Sequence, residues 1–254
     1  MTRTTTAGPA ASAPVTSRHR RPTPSLAPSG ALGLGMLFLL VTAALAAAVL
    51  AHPARPVFQH IDDTWLRWMG GPHDGPYAAV AAVFNWLGGP LGVVVPVGLA
   101  VFLGVRRRWP SLAFLLLTYV VGDMLLVQIL KYGVARPRPA HPLVRVDHGS
   151  FPSGHSAGIA LLVVVVGALL VPAARRRDWW IAGTVLTVVM MWSRTWLHAH
   201  WLSDTLAGAV AGAGAALVLW WLCTPLLARE RPTSPGRATL DGPNGPNGPA
   251  GHED

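Results

Sequence analysis

Lysine is almost missing from this chain, which carries nineteen arginines and a single lysine, Lys131. Cysteine is as scarce, because Cys223 has no second cysteine with which to form a disulfide inside the chain. Charged residues make up 12% of the sequence, about half of their share in an ordinary soluble domain, whereas hydrophobic residues make up 52%. These shortages exclude a scaffold held by internal disulfides, and they argue against a water-soluble globular enzyme.

The excess of positive charge, formally +9, is not distributed like a basic surface that binds nucleic acid. The arginines stand in short clusters beside apolar runs, a pattern typical of proteins whose positive charge sets their orientation in a membrane. We therefore expect membrane lipids, and no nucleic acid, among the partners of this chain.

Six apolar runs are long enough, or nearly long enough, to cross a bilayer. The sequence therefore predicts an all-α, polytopic membrane helical bundle with six transmembrane helices. The first run also resembles the core of a signal peptide, but its length of about 22 residues favours a retained span. The start of the second run stays open, because the apolar segment Tyr77–Leu87 ends at a Gly-Gly-Pro break just before it. The predicted spans are Ala31–His52, Leu91–Val105, Pro110–Lys131, His155–Leu170, Trp179–Arg194 and Trp201–Cys223.

Residues 1–29 and 227–254 are rich in proline, glycine and small polar residues, so we expect two disordered tails around a membrane domain at residues 30–226. Arginine clusters at the span ends all fall on one side of the six-span arrangement, and the positive-inside rule makes that side cytoplasmic. Both termini are then cytoplasmic in a protein of the cytoplasmic membrane, and the remaining loops face outside. The clusters are Arg18 with Arg20 and Arg21, Arg106–Arg108, Arg175–Arg177, and Arg229 with Arg231.

Two further segments carry local predictions. Ile61–Met69 has the pattern of a short interfacial helix, whose Trp65 and Trp68 would sit at the level of the lipid headgroups. Gly208 and Gly212 in the last span are spaced to let another helix approach its backbone closely.

A short polar turn, Phe151–Ser156, precedes most of the fourth span. Ser153 and Gly154 can present free backbone N–H groups at the start of a helix, where the positive end of the helix dipole binds anions such as phosphate. His155 adds a group that can give or take a proton near neutral pH. The alternative is an ordinary helix start that happens to contain a histidine.

His200 and Asp204 stand four residues apart, so that on one helix they share a face. A carboxylate bonded to one imidazole nitrogen fixes the tautomer and makes the other nitrogen a better nucleophile or base. An ordinary interfacial pair at the end of the last span is the alternative. A metal site that also uses His198 is not favoured, because residues two apart point to different sides of a helix and no carboxylate cluster completes it.

Three cations come from separate segments of the chain: Lys131, Arg138 and Arg194. Cations at a membrane surface commonly serve as anchors that extend towards the headgroups. If these three converge on the helix start instead, they neutralise a phosphoryl group during its transfer, which is the chief source of acceleration in such reactions. Asp123 lies about 12 Å deeper than Lys131 along the same span, where an ionisable group usually faces a cavity or a partner. The alternative is a neutral aspartic acid that is hydrogen-bonded between helices.

The polar blocks occur in a defined order and spacing. The chain contains Lys131-x6-Arg138-Pro139, then Pro152-Ser-Gly-His155, then Ser193-Arg194-x5-His200-x3-Asp204. This series resembles the three-part signature of the type 2 phosphatidic acid phosphatase (PAP2) superfamily at every fixed position, and the resemblance extends over about Met36 to Leu222.

The resemblance implies a role for each signature residue. In that family the cations of the first and third blocks and the Ser-Gly of the second bind phosphate. The second-block histidine is the acid for the leaving group, and the third-block histidine attacks phosphorus while the aspartate orients it. The implied phosphate-binding residues here are Lys131, Arg138, Ser153, Gly154 and Arg194, and the implied catalytic residues are His155, His200 and Asp204. The implied intermediate is a phosphohistidine, and neither a metal nor another cofactor is expected.

The expected activity is hydrolysis of a lipid phosphomonoester or diphosphate at the outer leaflet. Candidate substrates are phosphatidic acid, phosphatidylglycerol phosphate and a polyprenyl diphosphate. A phosphotransferase that hands the same phosphate, or a headgroup, to a lipid or sugar acceptor is the alternative within this chemistry. A transporter is more distant, since the polar residues collect at span ends and not near the membrane midplane. The sequence leaves the oligomeric state open.

Overall fold

The computed structural model describes Ala27 and residues 29–230, and within this part every regular element is helical, which confirms the all-α class. A π-helical stretch, Tyr119–Leu125, joins α5 to α6, and a short 3-10 turn, Ala173–Arg175, precedes α8. The predicted tails lie almost entirely outside the described residues. The helices are α1 (Ala31–Ala51), α2 (Gln59–Trp68), α3 (Gly75–Gly88), α4 (Pro90–Val105), α5 (Trp109–Thr118), α6 (Leu126–Val134), α7 (Gly154–Leu169), α8 (Arg176–Trp196), α9 (Leu202–Leu222) and α10 (Thr224–Ala228).

Three described helices are long and apolar enough to cross a membrane: α1, the continuous helix Trp109–Val134, and α9. A fourth candidate is the pair α3 and α4, which passes the same test as one unit although it is bent by 46°. The helix α7 is apolar but has only 16 residues. A membrane protein with three or four such spans follows from length and composition, and the count of six stays a prediction.

The start of the second predicted span was left open. The helix α4 begins at Pro90, one residue before the predicted Leu91, and it follows α3, which begins at Gly75, across a break at Gly89. The break has a local cause, because Pro90 has no N–H to continue the hydrogen bonding of α3. Gly88 at this break faces the ring of His155 so closely that an added Cβ would lie 2.3 Å from the ring carbon Cδ2. The bend therefore puts small residues beside a predicted catalytic side chain.

The helix α9 lies at the centre of the bundle. In its 18-residue apolar stretch 67% of the residues are buried, compared with 22% in that of α1. Its close contact with α7 confirms the prediction for the two glycines. A Cβ at Gly208 would lie 2.2 Å from the carbonyl oxygen of Ser153, and one at Gly212 would lie 2.1 Å from that of Ala157. Because no side chain separates the two backbones, α9 fixes the position of the first turns of α7.

The end of the bundle remote from the Phe151–Ser156 turn is closed by a separate polar cluster. Glu230 accepts hydrogen bonds from the backbone N–H of Ser111 at 2.7 Å and from Nε of Arg108 at 3.1 Å. Arg108 also donates to the carbonyl of Leu169 at the end of α7. The bond to Glu230 satisfies the backbone N–H of Ser111, one of the first N–H groups of α5, which have no partner inside the helix.

Candidate active site

A cavity of about 320 Å³ opens beside the start of α7, and we call it the site cavity. Its walls come from α3, from the stretch that connects α5 through α6 to α7, and from the turn between α8 and α9. Six of the eight predicted site residues line it, although they come from separated parts of the sequence. They are Lys131, Arg138, Gly154, His155, Arg194 and His200.

The hydrogen bonds of His200 define which of its ring nitrogens carries the proton. Nδ1 lies 2.6 Å from the carbonyl oxygen of Ser150, and Nε2 lies 3.3 Å from Nη1 of Arg138. A carbonyl only accepts, so Nδ1 must donate its proton there, and the guanidinium of Arg138 only donates, so Nε2 must accept. Nε2 is therefore unprotonated, and its electron pair accepts a hydrogen bond from Arg138 beside the cavity.

The surroundings of His200 also keep the ring neutral. Its side chain is 4% exposed, and burial is the largest cause that lowers the pKa of His200 well below its ordinary value. The positive charges of Arg138, Arg194 and Lys131 lower this pKa further. A neutral ring keeps its electron pair at neutral pH, which a nucleophile requires.

Two of the cations share a carboxylate that sequence reasoning did not single out. Asp147 accepts a hydrogen bond from Nζ of Lys131 at 2.8 Å and another from Nη2 of Arg138. Its partial burial alone would raise the pKa of Asp147, but the hydrogen bond and the charges of Lys131 and Arg138 outweigh burial and lower it. The Asp147 side chain is 65% exposed, so an ionised carboxylate from a loop covers the two cations from the solvent side.

The third cation, Arg194, is held from α3. Its Nη1 donates to Oδ1 of Asn85 at 2.7 Å, and its side chain is almost completely buried. Its Nε has no hydrogen-bond partner among the described residues. Asn85 was also missed, and the available signal was an amide in the middle of an otherwise apolar helix.

The helix start differs from the prediction in one respect. Ser153 is the N-cap of α7 and Gly154 is its first residue, as expected. However, the backbone N–H of Ser153 donates to the carbonyl of Asp204 at 3.0 Å, so it is not free to bind an anion. Gly154 lines the cavity while Ser153 is fully buried beneath it.

His200 and Asp204 do not share a helix face, which corrects the expected arrangement. His200 lies in the turn before α9, whereas Asp204 belongs to the first turn of that helix. Nδ1 of His200 is 3.9 Å from Oδ2 of Asp204, and the Ser150 carbonyl is its hydrogen-bond partner instead. Asp204 acts on His200 indirectly. Its Oδ2 accepts the backbone N–H of Trp201 at 2.9 Å, which fixes the turn that carries His200.

Arg136 neutralises Asp204 and is the main residue that sequence reasoning missed. It is 1% exposed and donates to Oδ1 of Asp204 at 2.6 Å and to Oδ2 of Asp62 at 2.7 Å. Asp62 on α2 accepts in turn from the backbone and the hydroxyl of Ser203, at 2.9 and 2.6 Å. Gln59 supplies one more acceptor to Arg136, at 2.7 Å. We call Gln59, Asp62, Arg136, Ser203 and Asp204 the buried ion network.

A second, smaller cavity of about 110 Å³ lies against His155, and we call it the side cavity. It is lined by Gly88, Gly89, Tyr119, Asp123, His155 and Gly158, among others. Asp123 lines both cavities, and so do Gly88, Gly154 and His155. Of the two interpretations of Asp123 given by the sequence, the position that faces a cavity is the one observed.

His198 sits in the turn between α8 and α9 with a positive φ of 52°. Its ring contacts that of His73, with the ring centres 5.1 Å apart. Within the described residues, no group of three or more His, Cys, Asp or Glu side chains is placed to hold a metal ion. His198 is thus a partly buried turn residue that packs against another histidine.

The chain is a helical membrane protein whose apolar helices bring three cations and two histidines to one cavity at a helix start. Such a site is suited to binding an anionic group. The family model of the PAP2 superfamily matches residues 112–226 of this chain, so this region is similar to that superfamily.

A curated protein and a solved structure are similar to this chain. Phosphatidylglycerophosphatase B of Bacillus subtilis (strain 168) is 33% identical over 131 residues, which cover 48% of this chain and 61% of that protein. The chain thus spans less than two thirds of this curated relative. A crystal structure described as the first transmembrane PAP2 type phosphatidylglycerolphosphate phosphatase, from Bacillus subtilis, is similar with a TM-score of 0.58 and 26% identity. That similarity covers 80% of this chain and 98% of the solved one.

Proposed function

We propose that this protein is a membrane lipid phosphatase that hydrolyses the phosphomonoester of a phospholipid, and that a phosphatidylglycerol phosphate is the favoured substrate among the candidates. One observation carries the proposal: His200 has a neutral ring whose unprotonated Nε2 lies beside a cavity with three cations. The names of the two relatives favour this substrate over phosphatidic acid and over a polyprenyl diphosphate.

In the proposed reaction, Nε2 of His200 attacks phosphorus and forms a P–N bond while the P–O bond to the lipid alcohol breaks. The electron pair of that bond stays on the departing oxygen, which takes a proton from His155. Lys131, Arg138 and Arg194 neutralise the oxygens of the transferring group. Water then attacks the phosphohistidine and gives a proton to His155, which releases inorganic phosphate and restores both histidines.

The same three cations support independence from metal ions, because they supply positive charge where a metal ion would otherwise do so. The N–H groups at the start of α7, beginning with Gly154, add partial positive charge on the same side. In this proposal Asp204 does not contact the reacting atoms, and its role is to hold the turn before α9 in place.

Phosphate release from phosphatidylglycerol phosphate by the purified chain in detergent tests the activity. We expect release that persists in EDTA and is lost in His200→Asn. Release that depends on added magnesium or zinc would contradict the metal-independent mechanism. Transfer of the phosphate to an added lipid or sugar alcohol, without free phosphate, would favour the phosphotransferase alternative.

The two histidines are distinguished by the leaving group. A lipid alcohol leaves poorly without a proton, and general acid catalysis is typically worth about 10²–10⁴-fold, whereas nitrophenolate leaves without help. We expect His155→Ala to form phosphoenzyme from p-nitrophenyl phosphate far faster than from a lipid phosphate, while His200→Ala forms none from either. Equal losses for both variants on both substrates would contradict this division of roles.

The site cavity faces the outside of the cell in the proposed topology, and the six spans are α1, the bent pair α3–α4, Trp109–Val134, α7, α8 and α9. Arg108 and Glu230 lie at the end of α7 remote from the cavity, which supports opposite faces for the arginine cluster and the site. His141 in the exposed loop is the test position. We expect His141→Cys, in a Cys223→Ser background, to react with an impermeant thiol label in intact cells. Reaction only after the membrane is breached would overturn the orientation.

A further inference from the structure

Asp123 is the one acidic residue in the continuous helix Trp109–Val134, and this helix is locally deformed around it. The π-helical stretch Tyr119–Leu125 contains Asp123 near its middle. Such stretches are rare, and they occur frequently at functional sites because they redirect side chains. An ionisable residue inside a membrane span is also expensive to keep, and it usually marks a substrate pathway or a partner.

Among the described residues Asp123 has electrostatic neighbours, Tyr119 and Lys131, but no hydrogen-bond partner. The carboxyl group of Asp123 forms no hydrogen bond with any described residue. Lys131 attracts it electrostatically, but Lys131 already donates to Asp147 at 2.8 Å. Gly158 on α7 stands opposite, where an added Cβ would be 4.0 Å from Oδ1 of Asp123, so the wall there is formed by backbone without a side chain. The carboxyl group is therefore open to a ligand.

The position of the Asp123 carboxyl group determines which part of the substrate it can contact. Asp123 and His155 line both the site cavity and the side cavity, so Asp123 lies on the His155 side of the site. Under the proposed function, His155 protonates the leaving oxygen, and the leaving alcohol must therefore occupy this side. In a diphosphate the second phosphate would lie directly against this acidic side chain, which offers it no positive charge, whereas the phosphodiester of a phosphatidylglycerol phosphate lies at the far end of the glycerol headgroup. A hydroxyl group is neutral and donates a hydrogen bond that a carboxyl oxygen accepts.

We propose that Asp123 is a specificity-determining residue that hydrogen-bonds a free hydroxyl on the leaving alcohol, next to the scissile phosphoester. The substrate class is then a lipid phosphate whose phosphate sits on a glycerol headgroup with a free hydroxyl, as opposed to one whose neighbouring carbon is acylated or lies in a polyprenyl chain. This inference rests on the proposed phosphatase function and deepens it.

One substrate pair isolates the hydroxyl groups, because glycerol 1-phosphate and propyl phosphate differ in these alone. A second, lipid pair is phosphatidylglycerol phosphate and phosphatidic acid, which differ at the carbon beside the phosphoester and also by the phosphodiester-linked glycerol. We expect Asp123→Leu to lower kcat/KM about 10- to 100-fold for the hydroxyl-bearing member of each pair, since the buried hydroxyl is left without its acceptor. The other member should change by less than about 3-fold, and Asp123→Asn, which keeps an acceptor oxygen, should fall between Leu and wild type.

The control is Asp178→Asn, which removes a carboxylate from the first turn of α8 and should leave both ratios unchanged. Equal losses for both members of a pair in Asp123→Leu would overturn the inference in favour of a structural or general catalytic role. If Asp123→Leu does not fold, the wild-type preference and the Asp123→Asn ratio decide, and a wild-type enzyme without preference for the hydroxyl also overturns it. Absence of phosphate release from all four compounds by wild type is the failure of the proposed function itself.

Discussion

Arg136 and Arg138 stand two residues apart, yet they belong to regions of opposite character. Arg136 is 1% exposed and donates four hydrogen bonds to acceptors from α2 and the first turn of α9. Arg138 lines the site cavity, where its nearest charged partner is the 65% exposed carboxylate of Asp147. Proline residues fix the backbone between and after the two arginines, so that one chain segment supplies both regions.

The two regions differ in the source of the negative charge that pairs with the arginine. In the buried ion network, both carboxylates come from the protein and are fully buried, so Arg136 has no donor on its guanidinium ends left for a ligand. In the site cavity, the exposed carboxylate of Asp147 faces Lys131 and Arg138, and under the proposed function the substrate phosphate takes its place. The positive charge of Arg136 is paired with buried carboxylates and stabilises the fold. The positive charge of Arg138 is paired with an exposed carboxylate and is available to bind a ligand.

Replacement of Arg136 is expected to have the largest effect on this comparison. Arg136→Leu leaves Asp62 and Asp204 buried without a counter-charge, and a broken buried pair typically costs about 3–5 kcal/mol of stability. Thermal unfolding in mild detergent measures this loss. A destabilisation no greater than that of Arg138→Leu would contradict the distinction between the two regions.

Replacement of Arg138 should leave the fold almost intact and remove activity. Its charged partner Asp147 is exposed, but Arg138 also donates to the carbonyl of Ala199, so Arg138→Leu should lose some stability, but less than Arg136→Leu loses. Loss of one group that stabilises the transition state should lower kcat by about 10²–10³-fold. Steady-state kinetics and unfolding on the same preparation test both statements, and a variant that is active but unstable would reverse the assignment.

The pH dependence of stability should report the neutral state of His200. The folded pKa lies well below the unfolded value of about 6.5, so the unfolded chain binds a proton that the folded chain does not. Stability should therefore fall as the pH drops below about 6.5, by at most about 1.4 kcal/mol per pH unit from this residue, until the folded pKa is reached. Unfolding measured from pH 7.5 to 5 should show a shallower slope in His200→Asn. An unchanged slope would count against a buried neutral ring.

Replacement of Asp147 should have the smallest effect, and it should strengthen phosphate binding where replacement of Arg138 weakens activity. In Asp147→Asn the substrate phosphate no longer competes with an internal carboxylate, so we expect KM and the inhibition constant for inorganic phosphate to fall a few-fold, in keeping with the small energies of exposed ion pairs. Asp147→Glu, which keeps the charge, is the matched control. A rise in both constants in the asparagine variant would show that Asp147 supports binding instead of opposing it.

Sequence reasoning succeeded where a feature depends on local pattern. The apolar runs gave the helical class, and the spacing of Gly208 and Gly212 predicted a close helix contact without any knowledge of the partner helix. The polar blocks likewise predicted residues that meet in one cavity, because each block marks the end of a helix or the turn beside it.

The missed features depend on packing between distant segments. Asp62 and Arg136 are 74 residues apart and become a pair only because α2 lies against the start of α9. The group that fixes the tautomer of His200 is the carbonyl of Ser150, and a backbone carbonyl leaves no mark in a sequence. The role expected of Asp204 was therefore assigned to the nearest carboxylate at helical spacing, although a loop carbonyl occupies that place.

The contact between α7 and α9 determines how this site could be moved or varied. At Gly208 and Gly212 the backbone of α9 lies directly on the carbonyl groups of the first turns of α7, with no room for a methyl group. In a mutational scan, these two positions should tolerate as little as the histidines do, although neither carries any chemistry. Transplanting the site to another scaffold therefore requires two helices, one that presents the turn to the phosphate and one, free of side chains, that holds it there.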